Sequence, residues 1–272
     1  MITYLILDFP DLTVDGSFPL GGAVSTALIL QGVSPALALL AATASGMAAG
    51  LCTGLIHVKL KIRALFSGII MMTALYSINL RIAGGSSLLS IPRTSVTLFR
   101  NNALVRLLPQ DTQILIISLI LVVMVKIIID LMLQTRFGLL LRATGDNEQV
   151  VTALARNKGN MKIAGLIIAN GLVALCGGVL TQQQRLFEIS MGTGAMVLAL
   201  ASVIIGVNSL KRFEWLRPTT KTIIGTLVYK ACYSLAISLG LRPGDMKLVT
   251  ALLFLSILSA WIFKPRRVTH DA

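Results

Sequence analysis

The chain has 272 residues, of which 55% are hydrophobic and 13% charged, and a mean hydropathy of +0.84. That excludes a water-soluble domain of ordinary composition. The formal net charge of +13 sits in short links between apolar blocks, which points away from nucleic acid and toward the inner rim of a lipid bilayer.

Apolar blocks of about twenty residues match the length of a helix that crosses a hydrocarbon core of about 30 Å, and within such blocks a helix satisfies its own backbone. The expected fold is therefore all-α: a polytopic integral membrane protein with six full spans and two short or re-entrant segments. The chain starts with an apolar run, residues 1–7, too short to cross, followed at once by Asp8, Asp11 and Asp15. It lacks the basic stretch and cleavage site of a signal peptide. Residues 18–31 form the first short segment, ahead of spans expected at 35–56, 64–83 and 113–133.

In the first of these spans Gly46, Gly50 and Gly54 recur every four residues. They share one helix face and allow close approach of a neighbouring helix; glycines scattered by the general richness of membrane helices in this residue are the other reading. Lys126 and Asp130 are one turn apart in the third span and can neutralise each other. Lys230 is a further charge in an apolar block.

Further spans are expected at 161–181, 223–239 and 247–263, with a second short segment at 195–207. The basic clusters are Lys59, Lys61 and Arg63; Arg136, Arg142, Arg156, Lys158 and Lys162; Lys211, Arg212, Arg217 and Lys221; and Lys264, Arg266 and Arg267. With the first cluster inside, alternation puts 84–110 and 182–194 outside and brings every cluster to the cytoplasmic side, provided that 195–207 carries the chain inward. Paired short, Gly-containing segments in the two halves of a transporter point to a pathway lined by broken helices; extension of each by flanking helical residues is equally open. Asp15, Ser17, Ser25, Thr193 and Ser202 are the candidate lining residues.

No catalytic constellation stands out. His57 and His270 are far apart, Cys52, Cys176 and Cys232 lie singly without metal-ligand spacing, and Trp215 and Trp261 sit where interfacial anchors belong. The most informative polar stretch is 136–162, in which Gly145 permits a turn, Asp146 caps a helix with Gln149 three residues on, Val150, Val151 and Leu154 give an apolar face, and Gly159 ends it. Such a helix can dock into a partner's groove or lie on the bilayer.

Residues 141–163, LRATGDNEQVVTALARNKGNMKI, resemble the cytoplasmic loop of ABC-importer permeases of the ribose and branched-chain amino acid type, which reads approximately R-A-x-G-x-N-x-x-A-A-x-x-x-G-I-N. Arg142, Ala143, Gly145 and Asn147 match it; Val150 and Val151 stand at the family's small residues, and Ala155 or Arg156 at its later glycine. Residues 8–24 are similar to the family's D-L-S-V-G segment, and 72–82, MTALYSINLRI, to another stretch of the same lineage.

The resemblance implies a bacterial inner-membrane permease half that pairs with a second copy. A cytoplasmic ATPase subunit would receive the helix carrying Arg142, Gly145, Asp146, Asn147, Val150, Val151 and Leu154, and an extracytoplasmic binding protein would deliver an amino acid or a similarly small polar solute. The chain carries no phosphate-binding loop, so ATP belongs to the partner and no cofactor, metal or enzymatic activity is expected here. A secondary carrier or channel is the rival reading. The resemblance further implies an additional span ahead of Asp8.

Overall fold

The computed structural model describes residues 1–100, 109, 112–146, 158–211, 213, 215–238 and 255, without the Asp146 side chain. A π-helical turn, Ile2–Ile6, leads into α1 (Val14–Leu30), α2 (Pro35–Lys59) and α3 (Ala64–Ile82), followed by the short strand β1 (Leu88–Ser90). Then come α4 (Gln113–Gln134), α5 (Arg136–Asp146), α6 (Lys158–Gln184), β2 (Leu186–Glu188), a 3-10 turn (Ile189–Gly192), α7 (Ala195–Ser209) and α8 (Pro218–Ser238). The protein is thus a polytopic helical membrane protein. Among the described residues five helices are long and apolar enough to cross a membrane: α2, α3, α4, α6 and the run Ile189–Ser209; α1 is a shorter apolar helix. The span expected at 247–263 lies outside the described residues, Leu255 excepted.

The chain divides into two compact units, Met1–Met196 and Val197–Ala272. In the first, α1, α2 and α6 pack so closely that their backbones touch. A Cβ added at Gly46 would stand 2.5 Å from the Asn170 carbonyl oxygen, one at Gly50 2.3 Å from that of Leu166, and one at Gly54 3.0 Å from Ile163 Cα. Gly21 and Gly177 do the same for α1 and α6. In lipid, where apolar burial gives no net drive, such close van der Waals packing holds helices together.

Among the described residues the departure from an all-α fold is the antiparallel pair β1–β2, in which Leu88, Leu89 and Ser90 face Glu188, Phe187 and Leu186. Phe187 is fully buried against Ala23 and Ala83, so the ribbon covers one end of the α1–α3 group.

α4 carries the Lys126–Asp130 ion pair at 2.9 Å, with Asp130 buried and Lys126 partly exposed. A double-mutant cycle on Lys126→Met and Asp130→Leu, read by thermal unfolding in detergent, should give a coupling energy of about 0.5–2 kcal/mol; strict additivity would remove the pair as a stabilising element. In the second unit α7 and α8 cross at Gly206 and Gly225, where a Cβ at Gly225 would lie 2.1 Å from the Ser202 carbonyl oxygen. Lys230 of α8 stands 5.3 Å above the Tyr233 ring.

Candidate functional site

A buried polar layer lies where α1 begins. Asp11 is 1% exposed; its Oδ1 accepts the Thr13 backbone N–H at 3.0 Å and its Oδ2 accepts Nδ2 of Asn170 at 2.8 Å. Asn170 also donates to the Leu166 carbonyl at 3.1 Å and accepts the Ser17 hydroxyl at 2.7 Å, so both its amide hydrogens and its oxygen are used. The Thr13 and Thr53 hydroxyls share a hydrogen bond of 2.9 Å, and Asn79 of α3 donates to the Gly16 carbonyl at 3.1 Å. Asn170 stands near the middle of α6. α1 therefore begins level with the centre of a full-length span, with Asp11 beside the positive end of its backbone dipole.

A second helix starts at the same level. The Asp15 carboxylate, in the first turn of α1, accepts the N–H of Gly194 at 3.0 Å and of Met196 at 2.9 Å, thereby capping α7. Pro19 has no N–H to give the Asp15 carbonyl one turn back, and Gly192 occupies that gap: its added Cβ would come within 2.1 Å of that oxygen. Gly194 turns the chain with φ of +82°, a conformation that favours glycine. Removing the cap with Asp15→Ala should cost about 1–2 kcal/mol locally. Hydrogen exchange at Met196 should then speed up by about tenfold while Asp15→Asn keeps part of the protection; an unchanged rate in Asp15→Ala would remove the capping role.

Toward the ribbon end, Gln182 repeats the logic of Asn170. Its Nε2 donates to the Ser25 hydroxyl at 3.0 Å and the Pro35 carbonyl at 3.1 Å, and its Oε1 accepts the Leu98 N–H at 3.0 Å. Arg185, at φ of +57°, donates to the Pro92 and Ser95 carbonyls at 2.9 and 3.3 Å. Burial, with the charges of Arg100 and Arg93 nearby, lowers the Arg185 pKa.

Of the candidate lining residues, the structure brings Asp15 and Ser17 together at the foot of α1 and puts Ser25 in the separate Gln182 layer. Thr193 is exposed in the turn before α7, and Ser202, in the second unit, is buried and donates to the Leu198 carbonyl at 2.9 Å. Asn79, Thr53, Asn170 and Gln182 are not among the residues expected from the sequence, and Asp11 is expected only as one of three N-terminal carboxylates. For Asn170 the usable signal is a lone carboxamide inside an apolar span, which has few ways to satisfy itself in lipid.

The polar stretch 136–162 differs from expectation. Gly145 is not at a turn: it and Asp146 belong to α5, which starts after Thr135, whose hydroxyl accepts the Gly138 N–H at 3.3 Å as an N-terminal cap. At Gly145 the helix passes so close to the Ile6 backbone that a Cβ would stand 1.9 Å from its carbonyl oxygen. Gly159 is buried in the first turn of α6, and the helix expected ahead of it falls in 147–157, outside the described residues. Arg142 is exposed on α5, and Asn147, Val150, Val151 and Leu154 lie outside the described residues. Among the described residues no three His, Cys, Asp or Glu side chains gather where a metal ion could be held.

Residues 1–258 match the family described as "Branched-chain amino acid transport system / permease component". The chain is 40% identical over 258 residues to a protein named "Tyrosine transport system permease protein" from Clostridioides difficile (strain R20291), covering 95% of this chain and 84% of that one. It is 33% identical to an uncharacterized protein of Rickettsia prowazekii (strain Madrid E), covering 95% and 90%, and 26% identical to the ribose import permease of Escherichia coli (strain K12), covering 80% and 65%. No solved structure gives a significant match.

Proposed function

The chain belongs to the family of permease components of branched-chain amino acid transport systems, and on that footing we propose that it translocates an amino acid or a similarly small polar solute, driven by a separate ATPase subunit. It is a multi-pass inner-membrane transport permease of the ABC type and not an enzyme. The observation that supports the finer reading best is the pair of helices, α1 and α7, whose N-termini meet Asp15 level with the middle of a full span. Helices broken at that depth, with polar groups gathered at their ends, are the arrangement by which transporters line a solute path. The amino-acid preference rests on the name of the relative from Clostridioides difficile, and the ribose permease keeps a sugar in view.

In this reading a second copy completes the pathway, which Asp15, Ser17, Ser25, Thr193 and Ser202 help to line. A binding protein delivers the solute on the side of the β1–β2 ribbon. α5 runs into the segment that contacts the ATPase, with Arg142, Gly145 and Asp146 on α5 and Asn147, Val150, Val151 and Leu154 beyond it. The physical task is to hold two packings whose balance shifts with nucleotide on the ATPase.

The decisive test is Asp146→Ala combined with Asn147→Ala in the assembled complex. Membrane insertion and basal ATP hydrolysis should persist while solute-stimulated hydrolysis falls by about tenfold or more. Undiminished stimulation would sink the coupling assignment, and uptake by the purified chain alone in proteoliposomes would favour a secondary carrier or channel.

A further inference from the structure

The first eleven residues make a continuous physical path between the helix that leads to the ATPase segment and the polar layer at the foot of α1. Ile2, Ile6, Leu7 and Phe9 are buried together with Leu133 and Leu141 on one side and with Leu166 and Ala169 of α6 on the other. Two glycines set how each side is touched. At Gly145 of α5 the contact is backbone on backbone, since a Cβ there would lie 1.9 Å from the Ile6 carbonyl oxygen. At Gly165 of α6 the neighbours are side-chain ends: Leu7 Cδ1 at 2.4 Å and Leu141 Cδ1 at 3.0 Å from the built Cβ.

The segment is also tightly folded. The Leu7 N–H reaches the Ile2 carbonyl at 3.1 Å and the Phe9 N–H that of Thr3 at 2.8 Å, while Asp8 takes φ of +48°. Wide π-type turns of this kind are uncommon and recur at functional sites. Phe9 meets the His57 ring edge-on at 5.0 Å, and two residues later Asp11 holds Asn170 and the Thr13 N–H.

We propose that residues 1–11 act as a strap that carries movement of α5 to the start of α1. Backbone against backbone at Gly145 leaves nothing compressible, so a displacement of the end of α5 must move Ile6, whereas aliphatic side chains against α6 can slide in a small shear. The strap and α5 then move as one body over α6, and the displacement arrives at Asp11, where it strains or releases the bond to Asn170 that fixes the start of α1. The proposal rests on the reading that α5 leads into the ATPase-contacting segment.

The test uses the complex with its ATPase, in a background in which Cys52, Cys176 and Cys232 are replaced by serine. A cysteine at Leu7 is joined by a short bifunctional maleimide either to one at Leu141 on α5 or to one at Ala169 on α6. The 7–141 link should leave solute-stimulated ATP hydrolysis within about twofold of the unlinked protein, while the 7–169 link should lower it by about tenfold or more at unchanged basal rate. If both links are tolerated, or both inhibit equally, the strap is packing alone and the proposal falls. If the unlinked complex shows no solute-stimulated hydrolysis to lose, it is the ATPase-coupling reading that fails.

Discussion

Asn170→Leu is expected to be among the most damaging single substitutions in the chain, lowering the apparent melting temperature in detergent by about 6–15 °C and solute uptake by about tenfold or more. The reason is an asymmetry. The substitution removes the amide that donates to Asp11 at 2.8 Å and leaves Thr13 to hold a carboxylate that is 1% exposed near the middle of a span. An uncompensated buried charge costs about 3–5 kcal/mol, whereas loss of both partners costs far less. Asp11→Asn should therefore recover part of the lost stability in the Asn170→Leu background although it weakens the otherwise native protein. A double variant no more stable than Asn170→Leu alone would show that the damage comes from helix packing and not from the stranded charge.

The second large effect is steric. Gly50→Leu places a side chain where the Leu166 carbonyl oxygen stands 2.3 Å from a bare Cβ, and neither backbone can yield without parting α2 from α6. Overpacking of about 1–3 kcal/mol predicts an apparent melting temperature lower by about 3–9 °C. Gly54→Ala, whose Cβ would meet Ile163 Cα at 3.0 Å, should be milder because that neighbour can shift by a few tenths of an ångström. Equal stability of Gly50→Leu and the parent in detergent unfolding would remove the α2–α6 contact as the main seam of the first unit.

Much of the architecture was legible because membrane spans announce themselves. α2 and α3 begin at the residues the hydropathy blocks indicated, Pro35 and Ala64, and α4 at Gln113. A proline at the first helical position and the basic links give sharp edges. The spacing of Gly46, Gly50 and Gly54 put them on one face by geometry alone, but which helix they meet depends on the fold.

What stayed hidden has specific causes. Asn79 and Asn170 are single amides with no periodic pattern to mark them, and Gln182 opens a polar run, 182–185, that reads as the end of a span. Gly145 is expected from the sequence to permit a turn, since glycine is conformationally free and weakens a helix by about 1 kcal/mol; in α5 it stands where the Ile6 carbonyl oxygen leaves no room for a side chain. The ribbon β1–β2 has three residues per strand, too few to show alternation. The segment Ile189–Ser209 is long enough to cross only when the 3-10 turn is joined to α7, and the positive φ of Gly194 divides the two.

The bond between Asp11 and Asn170 has a consequence for how the protein is made. The partners are 159 residues apart in sequence, so at about 5–20 residues per second a ribosome finishes Asp11 roughly 8–30 s before Asn170 exists. During that interval the carboxylate has no amide to receive it, and α1, at 17 residues, is short for a stable crossing. α1 is thus expected to be seated at depth only after α6 has entered the bilayer. With the native cysteines replaced by serine, a nascent chain halted at residue 160 should leave the thiol of Leu20→Cys, a position buried in α1, open to a water-soluble thiol reagent that the completed protein excludes; shielding in both would mean that α1 inserts on its own.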